Sequence, residues 1–177
     1  GPLGIPVYYN LQADVQIGGQ EGWASQASVR WYPASVRTTQ LEFSAAVTDS
    51  NSSSSGYLPL DIDVPWSVFP GSFASLAAGT LRYTTRVSEP LLVSATSIVL
   101  SRLDKDAPAS FVDSTNEVDA GLLGWEGGIR VGIQPISDWF FTLESGIFVP
   151  WTETAGGSYP DGEDPHWSAG IEMTVRL

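Results

Sequence analysis

The sequence has no cysteine, which removes disulfides and thiolate metal sites from consideration. It has no apolar run approaching the roughly 18 residues that a spanning helix needs. Any membrane insertion would therefore be by strands closed into a barrel. It has no basic surplus either: the net charge is −12 over 177 residues, and without a basic patch to neutralise phosphates a nucleic-acid partner is not expected. Charge of both signs is scarce, at 16% of residues against about 25% in an ordinary soluble domain. No composition break separates two structured regions, so residues 5–177 read as one domain. They are preceded by Gly1-Pro2-Leu3-Gly4, which has the look of a protease-cleavage scar left by an expression tag.

What the chain has instead is alternation. In GIRVGIQPISDWFFTLESGIFVPW, residues 128–151, period two puts Ile129, Val131, Ile133, Trp139, Phe141, Leu143, Ile147, Val149 and Trp151 on one face. Arg130, Gln134, Thr142 and Glu144 fall on the other, with Phe140 and Phe148 as exceptions. That is the period of a strand, not of a helix. A tight turn through Pro135–Asp138 that pairs Gln134 with Phe140 would set Arg130 directly opposite Glu144. The pattern recurs in eight segments, 7–18, 23–32, 38–48, 75–87, 91–103, 123–134, 139–151 and 167–177, always with the apolar parity on odd numbers. The fifth is the least regular, because Ile98 and Leu100 intrude on its even, polar parity.

The connections sort by length. Three are short (33–37, 88–90 and 135–138), one is brief (19–22), and three are long (49–74, 104–122 and 152–166). In an up-and-down arrangement the short and long sets fall at opposite poles, as in outer-membrane barrels. The longest contains a run of four serines followed by YLPLDIDVPWSVF, a stretch suited either to packing on a barrel rim or to forming an extra extended piece.

The charges sort as well. Asp14, Arg30, Glu42, Arg82, Arg86, Arg102, Glu126, Arg130, Glu144, Glu172 and Arg176 all lie in strand segments on the even parity, six positive and five negative. The other 15 acids lie in connections, against only Arg37 and Lys105. Arginine forks suit carboxylates held in a confined interior better than lysine does. An eight-stranded barrel is narrow enough for such ion pairs to fill its lumen.

Alternation alone admits two inside-out readings. The odd face is either the core of a soluble lipocalin-like barrel that binds a lipophilic ligand, with Phe141, Leu143 and Ile147 lining the cavity, or the lipid-facing surface of a membrane barrel. The aromatics favour the second. Trp23, Trp125, Trp151 and Trp167 stand at one set of strand ends, and Trp31 and Trp139 at the other with Tyr9 and Tyr83 nearby. Trp139 to Trp151 is twelve residues, which at a strand rise of about 3.3 Å and a tilt near 40° projects to about 30 Å. Two aromatic girdles would then bound an apolar band, and no lysine lies in any strand segment.

With these features the chain resembles the small eight-stranded outer-membrane barrels typified by the OmpA transmembrane domain, OmpX and OmpW. The likeness covers residues 7–177 and rests on architecture. It departs from that class at GIEMTVRL, which ends in Leu177 where an aromatic is common. Either a further domain beyond Leu177 or another assembly signal would account for this. The resemblance implies an all-β, eight-stranded antiparallel up-and-down transmembrane barrel with a salt-bridged lumen. It implies a bacterial outer-membrane location, a bilayer or lipopolysaccharide partner, and acidic surface loops open to a protein partner, in a role of surface exposure, adhesion or envelope structure.

No catalytic set or cofactor site is expected. His166 and Ser168 in HWS match the His-x-Ser pair of lipid A-modifying barrel enzymes only superficially, since both carry the lumen parity without an evident acid partner. Asp161, Glu163 and Asp164, with the pairs Asp61/Asp63 and Asp104/Asp106, are weak candidates for a hard divalent cation. GWEGGIRVG lies inside a strand with no helix after it, so it is not a phosphate loop. Its even glycines are expected to make room for neighbouring lumen side chains.

Overall fold

The computed structural model describes residues 7–16, 22–33, 38–48, 68, 75–103, 121–136, 138–159 and 164–175. The strands are β1 (Val7–Gln16), β2 (Gly22–Trp31), β3 (Thr39–Thr48), β4 (Leu76–Ser88), β5 (Leu91–Arg102), β6 (Gly121–Ile136), β7 (Trp139–Pro150) and β8 (His166–Val175). Each begins within two residues of the alternating segment that anticipates it. They form one antiparallel sheet in the order β1-β2-β3-β4-β5-β6-β7-β8, the arrangement that short hairpin connections enforce. A 3-10 turn at Glu153–Ala155 follows β7.

The sheet is not closed into a barrel: β1 and β8 are its two edges. This corrects the closed barrel that the alternation suggests. Parity and hairpin length fix how each strand meets its chain neighbour, and carry no information on whether the first strand meets the last. The edges are visible in the apolar residues. Leu11 is 76% exposed and Ile171 80%, where Leu81, Leu143 and Ile147 on inner strands are near 40%.

Even residues point to the covered side and odd residues away from it. Ala24, Ser28, Glu42, Thr48, Leu76, Ile98, Leu100, Arg102, Glu126, Thr142 and Phe148 are buried, whereas Tyr9, Val15, Val29, Phe43, Tyr83, Ile129 and Met173 are exposed. The covered side thus holds buried charges, Glu42, Arg102 and Glu126, beside an apolar group, and the outside is greasy. At the β5–β6 ladder the register steps from Leu100↔Gly124 to Ser101↔Leu122. This bulge leaves Leu123 without a register partner and turns it inward despite its odd number, where it is fully buried.

Chain direction gives the poles. The short connections join β2 to β3, β4 to β5 and β6 to β7, and both Val7 and Val175 lie at that end.

Candidate functional site

The covered face carries the charges in register. Glu42 lies between Arg30 on β2 and Arg82 on β4. Its two oxygens take one arginine each, Oε1 at 3.1 Å from Arg30 Nε and Oε2 at 3.9 Å from Arg82 Nη1. Gln40 donates to the same carboxylate from Nε2 at 3.3 Å, and accepts from the Tyr32 hydroxyl at 3.3 Å. Glu42 is buried with three polar partners, which offset the cost of taking its carboxylate out of bulk water.

Arg130 faces Glu144 across β6 and β7, the pairing that the alternation and the turn anticipate. Arg130 Nε reaches Glu144 Oε1, although that oxygen accepts no hydrogen bond. The contact is a charge pair without donor alignment. The turn itself is tighter than expected: the register steps after Ile133↔Phe141 to Ile136↔Trp139, so β6 runs through Pro135.

These pairs join neighbouring strands and do not cross the interior. A cavity of about 860 Å³ remains on the covered side, lined by Arg30, Glu42, Arg82, Glu126, Arg130, Glu144 and Glu172 together with Thr84, Ser94, Thr96 and Thr142. The three pairs leave this space open, because Arg30, Arg82 and Arg130 each meet a carboxylate on an adjacent strand and do not span the gap. Thr84 and Ser94 share a hydroxyl hydrogen bond of 3.0 Å in the same wall.

The other expected lumen residues separate. Arg102 and Glu126 are buried and neither is free. Arg86 is exposed at the short-turn end, beside a smaller hollow of about 300 Å³ with Tyr32, Thr38 and Thr39. Glu172 is exposed on the β8 edge and takes a 3.5 Å bond from the Thr174 hydroxyl. Arg176 and the Asp14 side chain lie outside the described residues.

Above the charged part of the wall lies an apolar group that the alternation registers only as exceptions. Leu76, Ile98, Leu100, Leu123, Phe148 and Tyr159 form one buried cluster, with Val68 and Ala78 packed against it. Val68 belongs to the stretch expected at the rim. Gly124 makes the cluster possible, since a Cβ there would lie 2.5 Å from the Val149 carbonyl oxygen and 2.7 Å from the Phe148 ring. Gly132 does the same for Phe140 lower on the wall, at 3.0 Å.

On the outer face, Trp23, Trp31, Trp139 and Trp167 are exposed, and Trp125 and Trp151 are half-buried. The Trp125 indole lies over Gly127, where a Cβ would clash with it, and its Nε1 donates to Ser97 Oγ at 2.7 Å. An indole so placed offers the outside a ring with no unmet donor. Leu143 and Ile147, which a soluble ligand-binder would need inside, are exposed on this face, and Phe141 is not part of the cavity wall.

The His166 ring is stacked on Phe148, with centroids 6.4 Å apart and planes at 23°. Among the described residues no group is hydrogen-bonded to its imidazole. Asp164 is exposed; Asp161, Glu163, Asp61, Asp63, Asp104 and Asp106 lie outside the described residues. Among the described residues no group of three or more metal-ligating side chains occurs. No protein-family model matches the chain, and no curated protein matches it.

Proposed function

We propose that this chain is a non-enzymatic integral β-barrel protein of a bacterial outer membrane, with short turns toward the periplasm and long acidic connections displayed at the surface. The observation that carries this reading is the inversion of the sheet: Glu42, Arg102 and Glu126 are buried while Tyr9, Leu11, Phe43, Ile129 and Ile171 are exposed. Soluble monomers rarely leave so broad an apolar surface uncovered. Lipid is the solvent that suits it. The tryptophans near both strand ends fit the two interfaces of a bilayer.

In that setting β1 pairs with β8. An unpaired strand edge in hydrocarbon leaves backbone groups unsatisfied at several kcal/mol each, and the edge strands are the two elements that lack one neighbour. The partner of the outer face is the bilayer, including lipopolysaccharide or its equivalent in the outer leaflet. The partner of the connections 49–74 and 104–122 is a protein at the cell surface or a component of the envelope.

Refolding from denaturant into lipid vesicles tests the reading. The expected result is co-flotation with the vesicles and quenching of tryptophan emission by lipids brominated along the acyl chain. A protein that stays monodisperse without detergent or lipid and fails to float would overturn it.

A further inference from the structure

The interior has two unlike halves. The charged cavity occupies the part nearer the short turns, from Gln40, Thr84 and Phe140 up to Ile98 and Glu126. The apolar cluster begins at Ile98 and Phe148, which flank Glu126 in register, and continues to Leu100 and Leu76 toward the long-connection end. Ile98 belongs to both and marks the boundary.

The outermost member of the cluster comes from the segment that follows β7. Residues 151–159 fold back on the sheet through backbone bonds, Trp151 N–H to Leu123 O at 2.9 Å and Ser158 N–H to Leu122 O at 2.8 Å. They also close on themselves, with Tyr159 N–H to Trp151 O at 3.0 Å and Glu153 N–H to Tyr159 O at 3.1 Å. Gly121 lacks the Cβ that would collide with Ser158. The strap so held lays Tyr159 against Phe148, with ring centroids 5.8 Å apart.

We propose that this cluster, capped by the 151–159 strap, is a dry septum that makes the interior a blind, water-filled vestibule open at the short-turn end and sealed at the long-connection end. The barrier to ions is the close-packed apolar cluster and not the Arg30–Glu42–Arg82 and Arg130–Glu144 pairs, which line a cavity that water can enter. Moving ions past Phe148 and Leu100 would strip hydration that this packing does not replace, and the two buried charges at its margins, Glu126 between Ile98 and Phe148 and Arg102 opposite Leu76, already have partners. Displacing the strap takes Tyr159 off the septum and thins it. The septum, as a division of an enclosed interior, rests on the membrane reading above, in which β1 pairs with β8; the burial of the cluster itself does not.

Two measurements separate these. The chain has no native cysteine, so Leu100→Cys and Thr96→Cys each carry a single thiol, one in the septum and one in the vestibule wall. In the folded protein, in lipid, micelle or buffer, a charged maleimide should label the Thr96→Cys thiol faster by on the order of 100-fold, because the other needs local opening. Equal rates would overturn the septum whatever the solvent. In planar bilayers the native chain should be silent, and Phe148→Ala and the milder strap variant Tyr159→Ala should conduct. Silence from both variants, when vesicle flotation shows them inserted, would overturn the barrier; failure of the native chain to float would overturn the membrane reading and leave the labelling result to judge the burial of the cluster.

Discussion

Arg130 and Glu144 stand opposite each other across β6 and β7 and form an ion pair, yet they are unequally covered, with 58% of the arginine side chain exposed against 14% of the carboxylate. With its one arginine mostly in water, this pair behaves as a surface pair. Glu144→Gln is therefore expected to cost about 0–1 kcal/mol. A double-mutant cycle with Arg130→Gln should give a coupling that shrinks as salt is raised. A large, salt-independent coupling would mean that the pair is dry.

Glu42 differs in having two arginines and a deeper one among them. Arg30 keeps 45% of its side chain exposed but Arg82 only 24%, so removing the buried Glu42 leaves the Arg82 guanidinium without its carboxylate in a more covered part of the wall. Glu42→Ala should destabilise by about 2–4 kcal/mol, and Glu42→Gln by less, since an amide oxygen still accepts. Urea midpoints of the two variants check the order, which must differ from that at Glu144 if coverage decides the energy.

Two glycines in one strand should respond differently to the same added methyl. At Gly124 the new Cβ would press on the Val149 carbonyl and the Phe148 ring, whereas at Gly128 its nearest neighbour is the Ser145 carbonyl oxygen at 3.6 Å. Gly124→Ala is expected to cost about 1–3 kcal/mol. Gly128→Ala is expected to be neutral or to stabilise by up to about 1 kcal/mol by restricting the unfolded chain. Unfolding of both variants in denaturant is the check.

The seam between β1 and β8 gives a kinetic readout. Half of the backbone amides of each edge strand face no neighbour in the open sheet. After insertion into vesicles their hydrogen exchange should slow by on the order of 1,000-fold if the edges pair. Fast exchange persisting in inserted protein would show that the sheet stays open or takes a different partner.

Much of this architecture was legible from period two alone. The strands, their order and the Arg130–Glu144 register follow from alternation and hairpin length, because antiparallel neighbours are fixed by the turn between them. The even glycines were legible as room for neighbouring inward side chains, and the structure names those side chains as Phe148 at Gly124 and Phe140 at Gly132. The apolar cluster was present in the sequence only as irregularity: Ile98, Leu100 and Phe148 broke the even-polar rule, and their common height on the wall emerges from the register of three strands together. Leu123 could not be read at all, since a bulge reverses its face. The open edge was equally hidden, being a relation between residues at the two ends of the chain. Of the expected lumen network the register brings together Arg30, Glu42 and Arg82, and Arg130 with Glu144, all as pairs between adjacent strands, because an arginine meets the strand beside it before it can cross the gap.

The neighbour-order sheet also sets how the chain can assemble. Every strand contact among the described elements joins segments consecutive in the chain, so none of these seven pairings must wait for a remote partner, and only the β1–β8 seam proposed for the membrane would be left to the end. Loop closure is then spread over seven modest steps instead of being met at once. Growth can begin at any hairpin and run in either direction. The widest gap falls between β3 and β4, which makes that junction the natural pause, with two half-sheets able to form on either side of it before they join.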